Sequence, residues 1–385
     1  MKRIIFKAAG PFSLPAMGLL KAFFIAGLCL VYSAAALAFT PDREFSKTIN
    51  REFSTTAKGT TALYNKYGMV KVKTWGNNSV KIDITITINT DSQRDADAMF
   101  ERIQVNFTST SGYIKAETMI NQDNWWPKTT NNCQDFKINY EVYMPASNQL
   151  DLKNKYGNSF VTDLKGKLSA EIKYGDLRTE VIDNDVDLYL SYGKAYMTKV
   201  NNVNGQIGYG ELNLTEARDL QLDTKYSDIN VERAANLRIT SKYDDFQLGT
   251  VEDLRLQTKY ADVKVKNVRS AYLTTQYTDL KIGSLTDVLD ADQSYGGLKV
   301  EMLGKNASEV SLVGKYTDIN IALDRGAPCR FDLESRHADL KVPSGATIRQ
   351  REDGSSRRIV KGYVGDANAK GMVKARMDYG NFVLR

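Results

Sequence analysis

Lys225-Tyr226-Ser227-Asp228-Ile229, Lys242-Tyr243-Asp244-Asp245-Phe246 and Lys259-Tyr260-Ala261-Asp262-Val263 repeat one pattern at a spacing of 17 residues. A fourth copy is Lys315-Tyr316-Thr317-Asp318-Ile319. Outward from these copies the tyrosine recurs at Tyr156, Tyr174, Tyr192, Tyr209, Tyr226, Tyr243, Tyr260, Tyr277 and Tyr295, in steps of 17 or 18, and then at Tyr316 after a step of 21. Another 21 residues reach His337, and twice 21 more reach Tyr379. A period of this length is the mark of a stacked-repeat architecture.

Alignment on the tyrosine shows what each unit buries. Six and four residues before it stand pairs such as Leu150/Leu152, Leu220/Leu222, Leu254/Leu256 and Phe331/Leu333. Three and five residues after it stand Leu212/Leu214, Phe246/Leu248, Ile319/Ile321 and Leu340/Val342. Side chains two apart share one face of a strand. Each unit therefore reads as two short strands whose parity shifts by one at the tyrosine corner, with the tyrosine closing the first inward row. A single unit cannot bury its apolar face alone, and stacked neighbours supply the rest of the core. No proline interrupts the chain between Pro145 and Pro328, as continuous strand ladders require. The expected fold is all-β: a single-chain parallel β-solenoid of 17–21-residue coils, right-handed by the crossover rule. About a dozen coils at ~4.8 Å give a stack on the order of 55 Å long.

Residues 39–149 read as a β-rich N-terminal lead-in. Asn65-Lys66-Tyr67-Gly68 is an early copy of Asn154-Lys155-Tyr156-Gly157. Val80–Ile88 alternates strictly, as a half-buried strand does. Ala96, Met99, Phe100 and Ile103 fall at helical spacing and predict one amphipathic helix near 91–103. Strands follow at Ile103–Ser109, Tyr113–Ile120 and Phe136–Met144. The repeat region then runs over 150–385, with Arg349–Arg358 read as a charged loop in the last coils and Met372–Leu384 as the closing strand.

Residues 1–38 read as a signal peptide. An apolar run from Ala22 to Leu37 follows Lys21 and ends in Ala36-Leu37-Ala38, a small-residue cleavage site. Met17 is an alternative start, and Leu28 before Cys29 does not suit a lipid anchor. Residues 1–38 carry four of the 52 basic residues and no acid, so the remainder holds 48 basic against 46 acidic residues, net +2. That balance offers no concentrated basic face for nucleic acid. No second long apolar run follows, so no membrane span is expected after cleavage, and the protein is expected to be exported to the periplasm or cell surface.

With the exported start, Trp75 after the first Asn-Lys-Tyr-Gly, the alternating strand, the helix and the serial Lys-Tyr-Gly/Asp units, residues 45–385 resemble the bacterial "putative adhesin" envelope proteins. That is a family of unknown function with β-solenoid folds, similar in style to adhesin head domains. The resemblance implies a Gram-negative envelope protein and carries no catalytic motif.

The chemistry-bearing residues agree with that absence. His337, the only histidine, occupies the tyrosine register, so it reads as a member of the structural ladder and no catalytic triad can form without it. One histidine and two cysteines beyond the signal are too few for a zinc site. Cys133 and Cys329 lie about ten coils apart, on the order of 45 Å at ~4.8 Å per rung, so no disulfide between them is expected. Asp183-Asn184-Asp185-Val186-Asp187 lacks the glycine and distal glutamate of a calcium loop and reads as outward strand positions. The lysine column (Lys155, Lys173, Lys225, Lys242, Lys259, Lys315) and the aspartate column (Asp176, Asp228, Asp245, Asp262, Asp279, Asp318) face outward and are expected to offset each other across the corner. Trp125 and Trp126, in an Asn/Gln-rich loop, are the candidate ligand contacts, suited to stacking on sugar rings. No catalytic residue, metal or cofactor is expected.

Three functions follow. The first is a non-catalytic exported envelope or surface protein, an adhesin or envelope-interaction scaffold whose partner is a glycan or another surface polymer. The second is a β-helix carbohydrate-active enzyme, disfavoured because coils of 17–18 residues leave little room for a groove. The third is a self-assembling structural protein, disfavoured because the helix and the closing strand cover the ends.

Overall fold

Each coil turns at its tyrosine because that residue is left-handed. In the computed structural model, which describes residues 43–121 and 135–385, Tyr67, Tyr156, Tyr174, Tyr192, Tyr209, Tyr226, Tyr243, Tyr260, Tyr277, Tyr295, Tyr316, Tyr379 and His337 all have φ between 51° and 63°. A left-handed residue in a strand puts two successive side chains on the same side, and this is the parity shift read from the sequence. It also turns the ring outward. The tyrosines do not close the inner row; from Tyr156 on they are 37–51% exposed. The inward places beside them belong to the residue two before (Asn154, Thr224, Thr258) and the residue one after (Ser227, Asp244, Thr278), all buried.

The left-handed conformation costs a side-chain-bearing residue about 1–2 kcal/mol. Stacking offsets it: neighbouring rings from Tyr67 to Tyr379 lie 4.7–5.3 Å apart and nearly parallel, each pair contributing roughly 0.5–1.5 kcal/mol. Glycine follows the tyrosine in the early coils for steric reasons. A Cβ on Gly157 would lie 1.9 Å from the Gly68 carbonyl oxygen.

Residues Glu44–Arg385 form one compact unit. Its strands are β1 (Arg43–Ser54), β2 (Thr60–Lys66), β3 (Val70–Trp75), β4 (Ser79–Thr90), β5 (Ile103–Thr110), β6 (Tyr113–Ile120), β7 (Phe136–Pro145), β8 (Gln149–Lys155), β9 (Ser159–Val161) and β10 (Leu168–Lys173). They continue as β11 (Leu177–Ser191), β12 (Lys194–Gly208), β13 (Glu211–Lys225), β14 (Asp228–Lys242), β15 (Asp245–Leu303), β16 (Glu309–Leu323), β17 (Cys329–Lys341), β18 (Thr347–Asp353), β19 (Arg357–Val364) and β20 (Met372–Leu384). From β8 to β16 successive coils pair in parallel, with like positions opposite each other, as in Leu212↔Ile229 and Leu220↔Leu237. The aliphatic rows named above are buried, except Leu340 and Val342 in the last coil, which are partly covered. A further inward row, Ala217, Ala234, Val251, Val268 and Leu285, marks a second bend eight residues after the tyrosine.

The single described helix, α1 (Gln93–Arg102), is capped by Ser92, whose hydroxyl accepts the Asp95 N–H, and it buries only Ala96. Both ends of the stack depart from chain order. At the start, β2–β3 lies between β6/β7 on one side and β8/β9 on the other, so Tyr67 meets both Phe136 and Tyr156. At the finish, β20 slots between β16 and β17, pairing with both in parallel. Tyr379 therefore sits between Tyr316 and His337 instead of beyond them. Residues 349–358, read as a loop, belong mainly to the antiparallel hairpin β18–β19, which pairs through β19 with β17. The end cover is this hairpin, not the closing strand. Residues 1–38, read as a signal peptide, and Trp125, Trp126 and Cys133 lie outside the described residues.

Candidate functional site: a groove along the coil face

The ladder tyrosines are exposed at their edges only. Each ring face is covered by the next ring, and the outermost histidine stacks on Tyr379 at 5.1 Å. Lys155, Lys225 and Lys242 lie over their own tyrosine rings at 4.7–5.2 Å. Among the described residues no ion pair joins the lysine column to the aspartate column, contrary to the expected offset. Two of the aspartates serve the backbone: Asp176 accepts the Lys194 N–H at 3.0 Å, and Asp318 accepts the Asn381 N–H at 2.9 Å.

The face just after the corner is different. Four and six residues past each tyrosine, outward side chains line a groove with about 800 Å³ of open volume, extending over successive coils. The coils therefore do leave room for a groove. Gly249 and Gly283 open its wall, because the backbone there runs against the preceding coil. A Cβ would fall 2.2 Å from the Glu232 carbonyl oxygen and 2.6 Å from that of Lys266, respectively. Along the axis the fourth-position residues read Arg178, Tyr196, Asn213, Asn230, Gln247, Lys264 and Lys281. The Arg178 guanidinium sits 4.7 Å from the Tyr196 ring centroid. Asn230 Nδ2 donates to Asn213 Oδ1 at 3.1 Å, which fixes the amide row. A smaller cavity of about 360 Å³ continues past Lys264 and Lys281 to Lys299, beside Asp262, Asp279 and Asp318.

The lining of the main groove carries four cations (Arg178, Lys264, Lys266, Lys281) and two acids (Glu232, Glu301). Lys281 and Lys299 both bind Glu301, at 3.0 and 3.2 Å, and hold its carboxyl below the usual range. Lys264 and Lys266 enter none of the ion pairs among the described residues. Glu232 and Glu301 stand four rungs apart, ~19 Å at ~4.8 Å per rung. Paired carboxylates that cleave glycosidic bonds stand about 5–9.5 Å apart. The groove's chemistry is hydrogen bonding, one aromatic face and spaced positive charge.

A second groove, of about 490 Å³, runs along the opposite bend and is lined in part by Asp185, Asn202, Asp219, Asn236 and Asp253. Acid and amide alternate, and each amide donates to the preceding acid: Asn202 to Asp185 at 2.7 Å, Asn236 to Asp219 at 2.6 Å. Arg218 binds Asn202 and Asp219, and Arg269 binds Asp253. Asp187 is paired with Lys167 at 2.6 Å. The run 183–187 is thus part of this ladder, and no described group of acids, histidines and cysteines could hold a metal ion. Cys329 is buried, which pushes its thiol up to about 11.

Sequence reasoning missed the main groove, although its signal was present. The same tyrosine alignment that exposed the inward rows also puts Asn213, Asn230 and Gln247 in one outward row.

A family model described as Toastrack DUF4097 matches residues 181–385. No curated protein matches the chain. Among solved structures, the chain is similar to a "putative cell adhesion protein" from Clostridium sporogenes, at 7% identity over 88% of this chain and 99% of that one, with a TM-score of 0.19. It is also similar to a "putative adhesin" from Bacteroides fragilis, at 11% identity over 88% and 97%, with a TM-score of 0.20. A third is a "putative lipid binding protein" from Parabacteroides distasonis, at 11% identity over 88% and 97%, with a TM-score of 0.18.

Proposed function

The chain belongs to the Toastrack DUF4097 family, and we propose that it is a non-catalytic, exported envelope or surface protein, an adhesin or envelope-interaction scaffold that grips an extended polymer along its coil-face groove. The observation that carries this reading is the groove's make-up. Recognition groups recur coil after coil, whereas its two carboxylates are too far apart to act on one bond. A solenoid also suits a polymer, since both repeat along one axis. Export rests on the N-terminal sequence; no described helix is long and apolar enough to cross a membrane. Trp125 and Trp126 remain a second proposed contact.

The test is co-sedimentation of the full chain with isolated cell envelopes, comparing wild type with Asn213→Ala/Asn230→Ala/Gln247→Ala and with Trp125→Ala/Trp126→Ala. The triple variant is expected to lose about tenfold in binding, since each neutral hydrogen bond contributes roughly 0.5–1.5 kcal/mol. Unchanged binding by the triple variant, or release of new reducing ends from the envelope polymer, would overturn the reading.

A further inference from the structure

The distribution of charge along the groove goes further than the presence of a binding site. Counting rungs by their tyrosines, Arg178 stands at one end and Lys264 with Lys266 five rungs away, on the order of 24 Å at ~4.8 Å per rung. Tyr196, Asn213, Asn230 and Gln247 fill the rungs between them. Lys281 shares Glu301 with Lys299. Arg178, Lys264 and Lys266 enter no ion pair among the described residues.

We infer that the groove's ligand is a linear glycan with carboxylates at intervals, a uronate-type polysaccharide, lying parallel to the solenoid axis. This rests on the reading of the groove as a polymer site. Carboxylates meet the cations at the two ends, where charge-assisted hydrogen bonds are the strong ones. Ring hydroxyls meet the three amides between, which can both donate and accept. The half-buried Tyr196 offers what its ring leaves uncovered to a sugar ring, and Arg178 over the ring keeps it in place. A neutral glycan would leave the end cations unused. A dense polyanion such as nucleic acid demands a cation at nearly every step, yet the middle of the groove is neutral or, at Glu232, acidic.

The test is a calorimetric titration of the full chain with polygalacturonate, with its fully methyl-esterified form and with duplex DNA. Lys264→Gln/Lys266→Gln serves as the variant; both lysines are solvent-facing, and far-ultraviolet circular dichroism checks that it folds. Polygalacturonate is expected to bind, and esterification or the double variant to weaken it about tenfold or more, the scale of one charge-assisted contact. Equal binding of the ester, lost in the Asn213/Asn230/Gln247 alanine variant, would overturn the charge assignment and leave the polymer site standing. Tighter binding of DNA would overturn the glycan assignment. Absence of groove-dependent binding by every polymer would overturn the inference and the polymer site together.

Discussion

Two polar grooves run along the same stack of coils, built from the same kinds of residue, and they have opposite chemistry. On the Asp185–Asp253 side each lining acid has an amide, guanidinium or ammonium partner. On the Arg178–Lys281 side Asn230 bonds to Asn213, while Arg178, Lys264 and Lys266 enter no ion pair among the described residues. In a parallel in-register stack each outward position becomes a column, so a column of like charges must be interrupted or neutralised. The first groove solves that problem by alternation. The second separates Arg178 from Lys264 by four uncharged fourth-position residues and sets Glu301 between Lys281 and Lys299, which leaves Arg178, Lys264 and Lys266 outside any ion pair among the described residues.

The contrast can be broken most severely at Gly249. It lies on the open groove, but its wall is backbone, so Gly249→Val should lower stability by about 3 kcal/mol through overpacking, read from the urea midpoint. A change below about 0.5 kcal/mol, the usual range for exposed sites, would mean that the groove wall yields. Next in size is the effect of adding charge. Asn236→Asp would put three carboxylates on consecutive rungs with Asp219 and Asp253 and remove a hydrogen bond, at a cost of about 1–2 kcal/mol that salt reduces. Asn230→Asp also loses its hydrogen bond to Asn213 but meets no carboxylate at the same position on either neighbouring rung, so it should cost less, about 0.5–1 kcal/mol. Equal effects from the two substitutions would erase the distinction between the grooves.

The smallest effects concern pH. Asp219 is held below the usual carboxylate range by Asn236 and Arg218. Asp244 is raised by burial at 2% exposure, although Thr224 and the Ser227 N–H donate to it. The signs are therefore opposite. Asp219's contribution is present above its unfolded pKa and is lost as pH falls through its lowered folded value. Asp244 favours the folded state more as pH falls through its raised folded value, until its unfolded value is reached. Relative to Asp219→Asn, wild type should lose advantage on acidification; relative to Asp244→Asn, it should gain. Thermal unfolding across pH 3–7 would show both trends, and parallel curves would remove either carboxylate from the account.

Much of this was legible in the sequence because repetition is a local property. The 17-residue step, the inward pairs around Leu220 and Ile229, and the helix at Ala96 and Met99 follow from spacing alone. The outward turn of the rings did not follow: parity put tyrosine inside, and only a left-handed φ at a residue that seldom adopts one reverses that. The groove was half legible. Its amide row could be read from alignment on the tyrosine, but its volume depends on how closely the Gly249 backbone approaches Glu232.

By itself the sequence determined the coil, its length, its buried rows and its aromatic column, since strand alternation and repeat spacing are set within a few tens of residues. Only the tertiary structure decided which coil lies on which rung. A step of 21 residues separates Tyr295 from Tyr316 on adjacent rungs, and the same step separates Tyr316 from His337 with Tyr379 in between. The spacing cannot distinguish the two cases, because an open strand edge accepts any in-register strand that reaches it, and β20 reaches it from the end of the chain.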